Sequence, residues 1–285
     1  MANIRLIRRR IKGVQSTAKI TRAMEMIAAS KMRRAQERGL AGRPYSEKIT
    51  QVMSALSALT GVTGLMHPLL QKRPLKKILI VHITPDRGLA GGLVSGINRK
   101  TAGFIVEKNV PVSLVAVGRK GVDFLRRTGQ DVIAEFASLG DKPSLIDTLP
   151  ISHIIIDEFA KANVDEVYLA YSRFVNTIVQ KPVIERILPV EPAPIPTTRN
   201  VEYIYEPNPE QVLGGLLPRF VEMQVYHHIL ESIASEQSAR MVSMKSATEN
   251  ANELTDDLTL VYNKARQEMI TTELLDIIGG AVALE

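Results

Sequence analysis

The residues best placed to do chemistry in this chain fall into scattered groups. Asp86-Arg87-Gly88-Leu89-Ala90-Gly91-Gly92 lies between a β-branched run and a helical pattern, where backbone N–H groups and a helix N-terminus can cradle a phosphate. The loop lacks the Lys-Ser/Thr pair of a P-loop and the full glycine spacing of a dinucleotide fingerprint. The simpler reading is a tight strand-to-helix turn that needs glycine for positive φ. His227 and His228 are adjacent and leave a helix on different sides, while His67, His82 and His153 are scattered. No H-x-x-E-H or Glu-x-x-His spacing suggests zinc or a di-iron centre. Asp157-Glu158 follows Ile154-Ile155-Ile156, read as a strand end where carboxylates can bind metal, although a solvated turn is the plainer reading. No G-x-S-x-G positions a nucleophile. We therefore expect no catalytic residue, no cofactor and no metal ion.

The one charge anomaly is Arg8-Arg9-Arg10-Ile11-Lys12. Residues 1–38 hold eleven Lys or Arg against Glu25 and Glu37, a local charge of +9 in a chain of net +6, so the remainder carries −3. Such segments meet nucleic acid, anionic lipid or acidic protein surfaces. For nucleic acid the cations would neutralise phosphates, but the first 44 residues contain no aromatic side chain to stack on bases. For a membrane surface the helix lacks Trp or Phe on its apolar face. An acidic protein partner accounts for both the charge and the apolar pattern.

That pattern is helical. Ile4, Ile7, Ile11, Val14, Ala18, Thr21, Met24, Ala28, Met32 and Ala35 recur every three or four positions, the period of one helix face. A second stripe runs through Met241, Met244, Ala247, Ala251, Leu254, Leu258, Val261, Ala265, Met269, Thr272 and Leu275, inside a stretch, 219–278, without glycine or proline. Sixty helical residues at about 1.5 Å each make a rod of roughly 90 Å, too long for the wall of a compact domain. Both stripes are rich in small residues, which let helix axes approach closely, and each needs a partner. They are expected to pair as an antiparallel coiled coil of unequal lengths. Glu25 falls where a strict heptad wants an apolar residue, so the stripe is expected to drift with a 3.6-residue period.

Between the rods the pattern changes. Residues 76–83, 112–117, 164–174 and 183–188 read as strands, with helices at about 93–108 and 120–127; strands alternating with helices indicate an α/β layer structure. The fold class is thus α/β: a long antiparallel coiled coil of terminal helices plus a central, Rossmann-like domain that does not bind nucleotide. The expected divisions are 1–60 for the first helix, 74–190 for the central domain, 191–208 for a Pro-rich linker and 209–285 for the second helix. With no cysteine, disulfides and thiolate chemistry are excluded. No apolar run approaches the ~18 residues of a membrane span, and the first residues lack a secretory signal.

Three runs carry a resemblance. Ile20-Thr21-Arg22-Ala23-Met24-Glu25-Met26-Ile27-Ala28-Ala29-Ser30-Lys31-Met32-Arg33 resembles the N-terminal signature of the gamma subunit family of bacterial-type F-type ATP synthases. Asp86 to Gly92 is similar to that family's D-R-G-L-C-G-G turn, with Ala90 in place of the cysteine. Residues 235–242, 262–267 and 270–274 look like its C-terminal signature. Gly214-Gly215 and Pro218 depart from it by interrupting a stretch that is usually continuous helix, so the second rod is expected to start, or to kink, near Pro218.

The resemblance implies a non-catalytic rotor shaft. In that family the paired terminal helices turn inside a ring of three alpha and three beta subunits, driven by the proton-powered membrane ring. The α/β domain sits at the foot against epsilon and the c-ring. Carried onto this sequence, Arg22 and Met24 match positions facing acidic beta-subunit loops near the shaft base; Arg33, at the end of the same run, is a further expected partner contact. Arg266, Gln267, Thr271 and Glu273 match contacts higher on the shaft, and Arg8, Arg9 and Arg10 join them as cationic partner contacts. No nucleic acid is expected, membrane association is expected only through the complex, and the implied place is the cytoplasmic face of the bacterial cell membrane. The alternative reading is a basic coiled-coil protein that binds nucleic acid; a third is a small enzyme with a ligand at residues 88–92.

Overall fold

The computed structural model describes residues 4–63, 67–191, 205, 206 and 208–282. They form two compact units: residues up to Ala28 with those from Arg240 onward, and Ala29–Ala239. Helix α1 (Ile4–Thr63) and helix α5 (Pro209–Val282) each contribute to both. The core of the expected linker, 192–204, lies outside the described residues.

The second unit is built on a five-stranded sheet, β1 (Ile78–Ile83), β2 (Val112–Val117), β3 (Val132–Phe136), β4 (Glu166–Phe174) and β5 (Gln180–Leu188), in the order β3-β2-β1-β4-β5. All pairings are parallel except β4–β5. Alternate residues of the central strands enter two cores. Leu79, Val81, Ile83, Val115, Val117, Leu169 and Tyr171 pack with α4 (Leu145–Ala160), α1 and α5. Ile78, Ile80, Leu114, Ala116, Tyr168 and Ala170 pack with α2 (Leu93–Lys108) and α3 (Arg119–Arg127). Burial on both faces is why β1 and β2 read as unbroken apolar runs. α1 reaches this unit with Ala35, Ile49 and Met53, and α5 with Leu213, Leu217, Val221, Val225 and Ile229, the last five one every fourth residue.

Three expectations are corrected. Ile154-Ile155-Ile156 is helical and not a strand end, so Asp157-Glu158 lies inside α4. The Ser144–Asp147 capping box starts this helix, and Thr148, Ile151, Ser152, Ile155 and Phe159 form its buried face; three isoleucines in a row fit either element until a cap and an i, i+3, i+4 face decide. β3 was not expected. It is an edge strand whose inward Val132, Ala134 and Phe136 alternate with exposed residues. Helix α5 does not start at Pro218 but at Pro209. Asn208 Oδ1 accepts from the Gln211 N–H at 2.9 Å, Pro209 takes the first helical position, where a missing N–H costs nothing, and the helix continues through Pro218.

His82 is fully buried in β1. Its Nε2 lies 2.9 Å from Asn98 Oδ1 and its Nδ1 3.1 Å from Thr101 Oγ1. Burial pushes its pKa down to about 4, only partly opposed by the Asn98 hydrogen bond. The neutral ring is the native one, whereas the unfolded chain takes up a proton near pH 6.5. Stability is therefore unaffected above that pH and falls as the pH drops toward 4, by about 3 kcal/mol at about 1.4 kcal/mol per pKa unit. Urea unfolding at pH 7 and pH 4 should show this loss, and His82→Gln should flatten it. An undiminished slope in the variant would remove His82 as the cause.

Candidate functional site

In the first unit, α1 and α5 pair through a face that keeps strict heptad spacing. On α1 the inward positions are Ile4, Ile7, Ile11, Val14, Ala18, Thr21, Glu25 and Ala28, with Ala18, Thr21 and Ala28 buried. On α5 they are Met244, Thr248, Ala251, Thr255, Leu258, Tyr262 and Ala265. Thr21 Oγ1 and Thr248 Oγ1 meet at 2.7 Å. From this pair a groove runs toward Gln15 on α1 and toward Thr255 and Asp256 on α5, so the helices are antiparallel.

The drift expected from Glu25 does not occur: Glu25 is half-buried beside Met24 and the heptad runs through it. The α5 stripe also differs from its apolar residues. Leu254 and Val261 are 40% and 51% exposed, and Thr255 and Tyr262 take their places. Met244, Ala251, Leu258 and Ala265 set a seven-residue repeat, and alternating steps of four and three place 248, 255 and 262 on the seam. Beyond Ala265, Met269, Ile270, Leu274 and Leu275 are exposed, so α5 outruns its partner.

The outward surface is cationic on α1. Arg8, Arg9, Arg10 and Arg22 are exposed, and Met24 is half-buried. Among the described residues none of Arg8, Arg9, Arg10, Lys12, Lys19 or Arg22 has a carboxylate within 4.0 Å. Part of the charge is balanced in the sequence of the same unit. Residues 1–28 carry +6, but residues 240–285 carry −4, from four Lys or Arg against eight acids. Arg22 and Lys19 share their groove with Asp256. Arg266, Gln267, Thr271 and Glu273 are all exposed on α5 beyond its last buried position. Arg33 is exposed in the other unit. Nine of the ten expected contact residues thus fall in the first unit, Arg8, Arg9, Arg10, Arg22 and Met24 on the paired part of α1 and the other four on α5 beyond the pair, while Arg33 falls in the second unit.

The residue 86–92 loop is a turn held by its own carboxylate. Asp86 Oδ1 accepts from the Arg119 N–H and Oδ2 from the Ser138 N–H, both at 3.0 Å, so it caps α3 and ties down the segment after β3. Positive φ falls on Leu89 and Gly91, not on Gly88 or Gly92. Across the carboxyl ends of β1 and β2, where open α/β sheets take ligands, lies α5. Ile229, Ser232, Ile233 and Glu236 close with Ile83, Thr84, Val117 and Gly118 around a cavity of about 40 Å³, room for a few waters at most. Among the described residues no three His, Asp or Glu stand close enough to hold a metal ion. His228 lies 3.8 Å from Glu185 and 3.7 Å from Glu231.

Sequence reading missed the polar residues that hold α5 in this unit: Ser235, Gln237, Ser238 and, opposite them, Asp141. A signal was present in the three-residue spacing of Ser232, Ser235 and Ser238.

Comparison with known proteins agrees with this architecture. The family model described as ATP synthase matches residues 3–284. The ATP synthase gamma chain of Dehalococcoides mccartyi (strain CBDB1) is 66% identical over the full length of both chains, and that of Roseiflexus castenholzii is 51% identical, covering 100% of this chain and 99% of the relative. A central stalk/c-ring structure of Tetrahymena thermophila mitochondrial ATP synthase aligns with TM-score 0.62 at 26% identity, covering 80% of this chain and 99% of that one. A chain from the Euglena gracilis mitochondrial enzyme has the same fold, with TM-score 0.68 at 19% identity over 99% of this chain and 94% of the other. The chain belongs to the ATP synthase gamma chain family.

Proposed function

We propose that this chain is the central-stalk subunit of a proton-translocating F-type ATP synthase, not catalytic by itself, which couples rotation of the membrane ring to ATP synthesis or hydrolysis on the alpha/beta ring. Family membership supports the role. The observation that carries the mechanism is the antiparallel helix pair with an exposed row of cations lacking carboxylate partners among the described residues. A shaft must slide past successive partners without adhering to one. Exposed ion pairs, individually worth about 0–1 kcal/mol, make contacts of that kind with acidic loops.

In this reading Arg22 and Met24 meet the beta subunits near the base of the shaft, and Arg8, Arg9, Arg10 and Arg33 are further cationic partner contacts. Arg266, Gln267, Thr271 and Glu273 meet them higher, on the part of α5 that has outrun α1. The central domain, at about 74–190, contacts epsilon and the c-ring. Among the described residues no helix is long and apolar enough to cross a membrane. In this reading the complex holds the chain peripherally at the cytoplasmic face of the bacterial membrane.

Affinity-tagged chain, recovered from solubilised membranes of its own cell, should bring down stoichiometric alpha and beta subunits with epsilon and the c-ring. Recovery of the chain without alpha and beta would overturn the proposal.

A further inference from the structure

Buried apolar contact is non-directional, so the packing that holds a helix on a sheet fixes its register by shape alone. Hydrogen bonds have fixed lengths and angles and resist both twisting and sliding. Where α5 crosses the carboxyl ends of the strands, Ser232, Ser235, Gln237 and Ser238 are all buried, at positions where alanine would pack without the cost of hiding a polar group. Ala234 and Ala239 do so alongside them.

The polar groups reach in opposite directions. Ser235 Oγ donates to the Ser172 carbonyl of β4 at 2.7 Å. Ser238 Oγ donates to the Thr177 carbonyl in the β4–β5 turn at 2.8 Å. Gln180 Nε2 bridges them, 3.3 Å from Ser238 Oγ and 3.0 Å from the same carbonyl. The turn is itself braced, with Asn176 Oδ1 accepting from the N–H groups of Ile178 and Val179 at 2.9 and 2.8 Å. On another side of the helix, Gln237 Nε2 donates to Asp141 Oδ1 at 3.2 Å. Asp141 Oδ2 accepts from Lys31 Nζ of α1 at 2.6 Å. One turn of α5 is thereby clamped to β4, to the β4–β5 turn, to the segment after β3 and, through Asp141, to α1.

We propose that Ser235, Gln237 and Ser238, with Gln180, Asp141 and Lys31, form the torque joint of this chain. They are positioning residues that lock the rotational and axial register of α5 against the α/β domain, so that rotation applied to the domain is delivered to the rest of the helix. The proposal rests on the rotor reading above.

The test uses the assembled complex in proton-tight vesicles, reading ATP hydrolysis and proton pumping together. Ser235→Ala/Ser238→Ala should keep hydrolysis within about twofold while protons pumped per ATP fall by roughly threefold or more, as the hydrogen bonds of Ser235 to Ser172, of Ser238 to Thr177 and of Gln180 to Ser238 are lost. Lys31→Asp and Asp141→Lys should each lower the same ratio, and the double charge swap should restore it. A merely structural role would lower assembly or the melting temperature and leave the pumping ratio of the complexes that form unchanged. Unchanged pumping per ATP in assembled serine variants overturns the joint. If those variants do not assemble, the charge swap decides, and a swap whose single variants pump normally overturns it. Failure of the unaltered chain to enter a complex with alpha and beta would instead overturn the rotor reading.

Discussion

Gly118→Ala should strongly destabilise the α/β unit. Gly118 joins β2 to α3 with φ +91°, and a Cβ there would lie 1.9 Å from the Thr84 carbonyl oxygen and 2.7 Å from its carbon. Both atoms belong to the backbone at the end of β1, which cannot turn aside as a side chain could. Thr84 N donates to the Val117 carbonyl, and the Gly118 N–H donates to the Phe136 carbonyl at 2.7 Å, so any shift breaks the joints between β1, β2 and β3. Adding the backbone strain to the clash, the cost is at least about 4 kcal/mol, comparable to the whole stability of a modest domain. Gly129→Ala is the control. It also has positive φ, +65°, but nothing lies within 4 Å of the new Cβ, so it should cost only about 1–2 kcal/mol. Urea unfolding followed by circular dichroism separates the two, and equal midpoints would refute the steric argument.

Reversing the charge cluster with Arg8→Glu, Arg9→Glu and Arg10→Glu should abolish most coupled activity while leaving the helix pair folded. The three side chains are exposed and have no carboxylate partner among the described residues, so their loss removes nothing from the fold. Successive helical residues lie about 100° apart, and the cluster therefore fans over more than half the outward face of α1. That spread suits a surface that must present a cation to each partner as it turns. The reversal takes residues 1–28 from +6 to zero, and each exposed pair that becomes a repulsion changes the interaction by about 1 kcal/mol or more. Three together predict a fall in ATP synthesis of about tenfold to a hundredfold. The deficit should be smaller at high salt, where the Debye length shrinks from about 10 Å to 3 Å. Synthesis by vesicles at normal rates would eliminate the electrostatic account of these contacts.

β2, at Val112–Val117, and α2, at Leu93–Lys108, were legible to the residue, because a β-branched run buried on both faces and a capped amphipathic helix carry local signals. Ile154-Ile155-Ile156 was not: the three side chains alone suit a strand or a helix, and what decides is the Ser144–Asp147 cap, up to ten residues upstream, with the buried face of Thr148, Ile151, Ile155 and Phe159. Asn208-Pro209 carries a local helix-start signal, a capping side chain followed by proline at the first helical position, although Pro218 is the more conspicuous break. The contact residues were named from the resemblance, and their exposure could not be read from their types: Leu254 and Val261 are as apolar as Leu258, yet only Leu258 lies on the seam.

The sequence by itself determined the helical periods of both ends, the alternating strands and helices between them, the basic segment and the family signatures, since each is a local pattern of side-chain type and spacing. The tertiary structure alone decided which of two adjacent helix faces is buried, because a seam is chosen by its partner. It also closed the sheet's carboxyl-end crevice with α5 and joined Ser235 to Ser172, Ser238 to Thr177 and Gln237 to Asp141. Those contacts link residues 61 to 96 positions apart in the chain, and no local pattern encodes a hydrogen bond between groups that only the fold brings together.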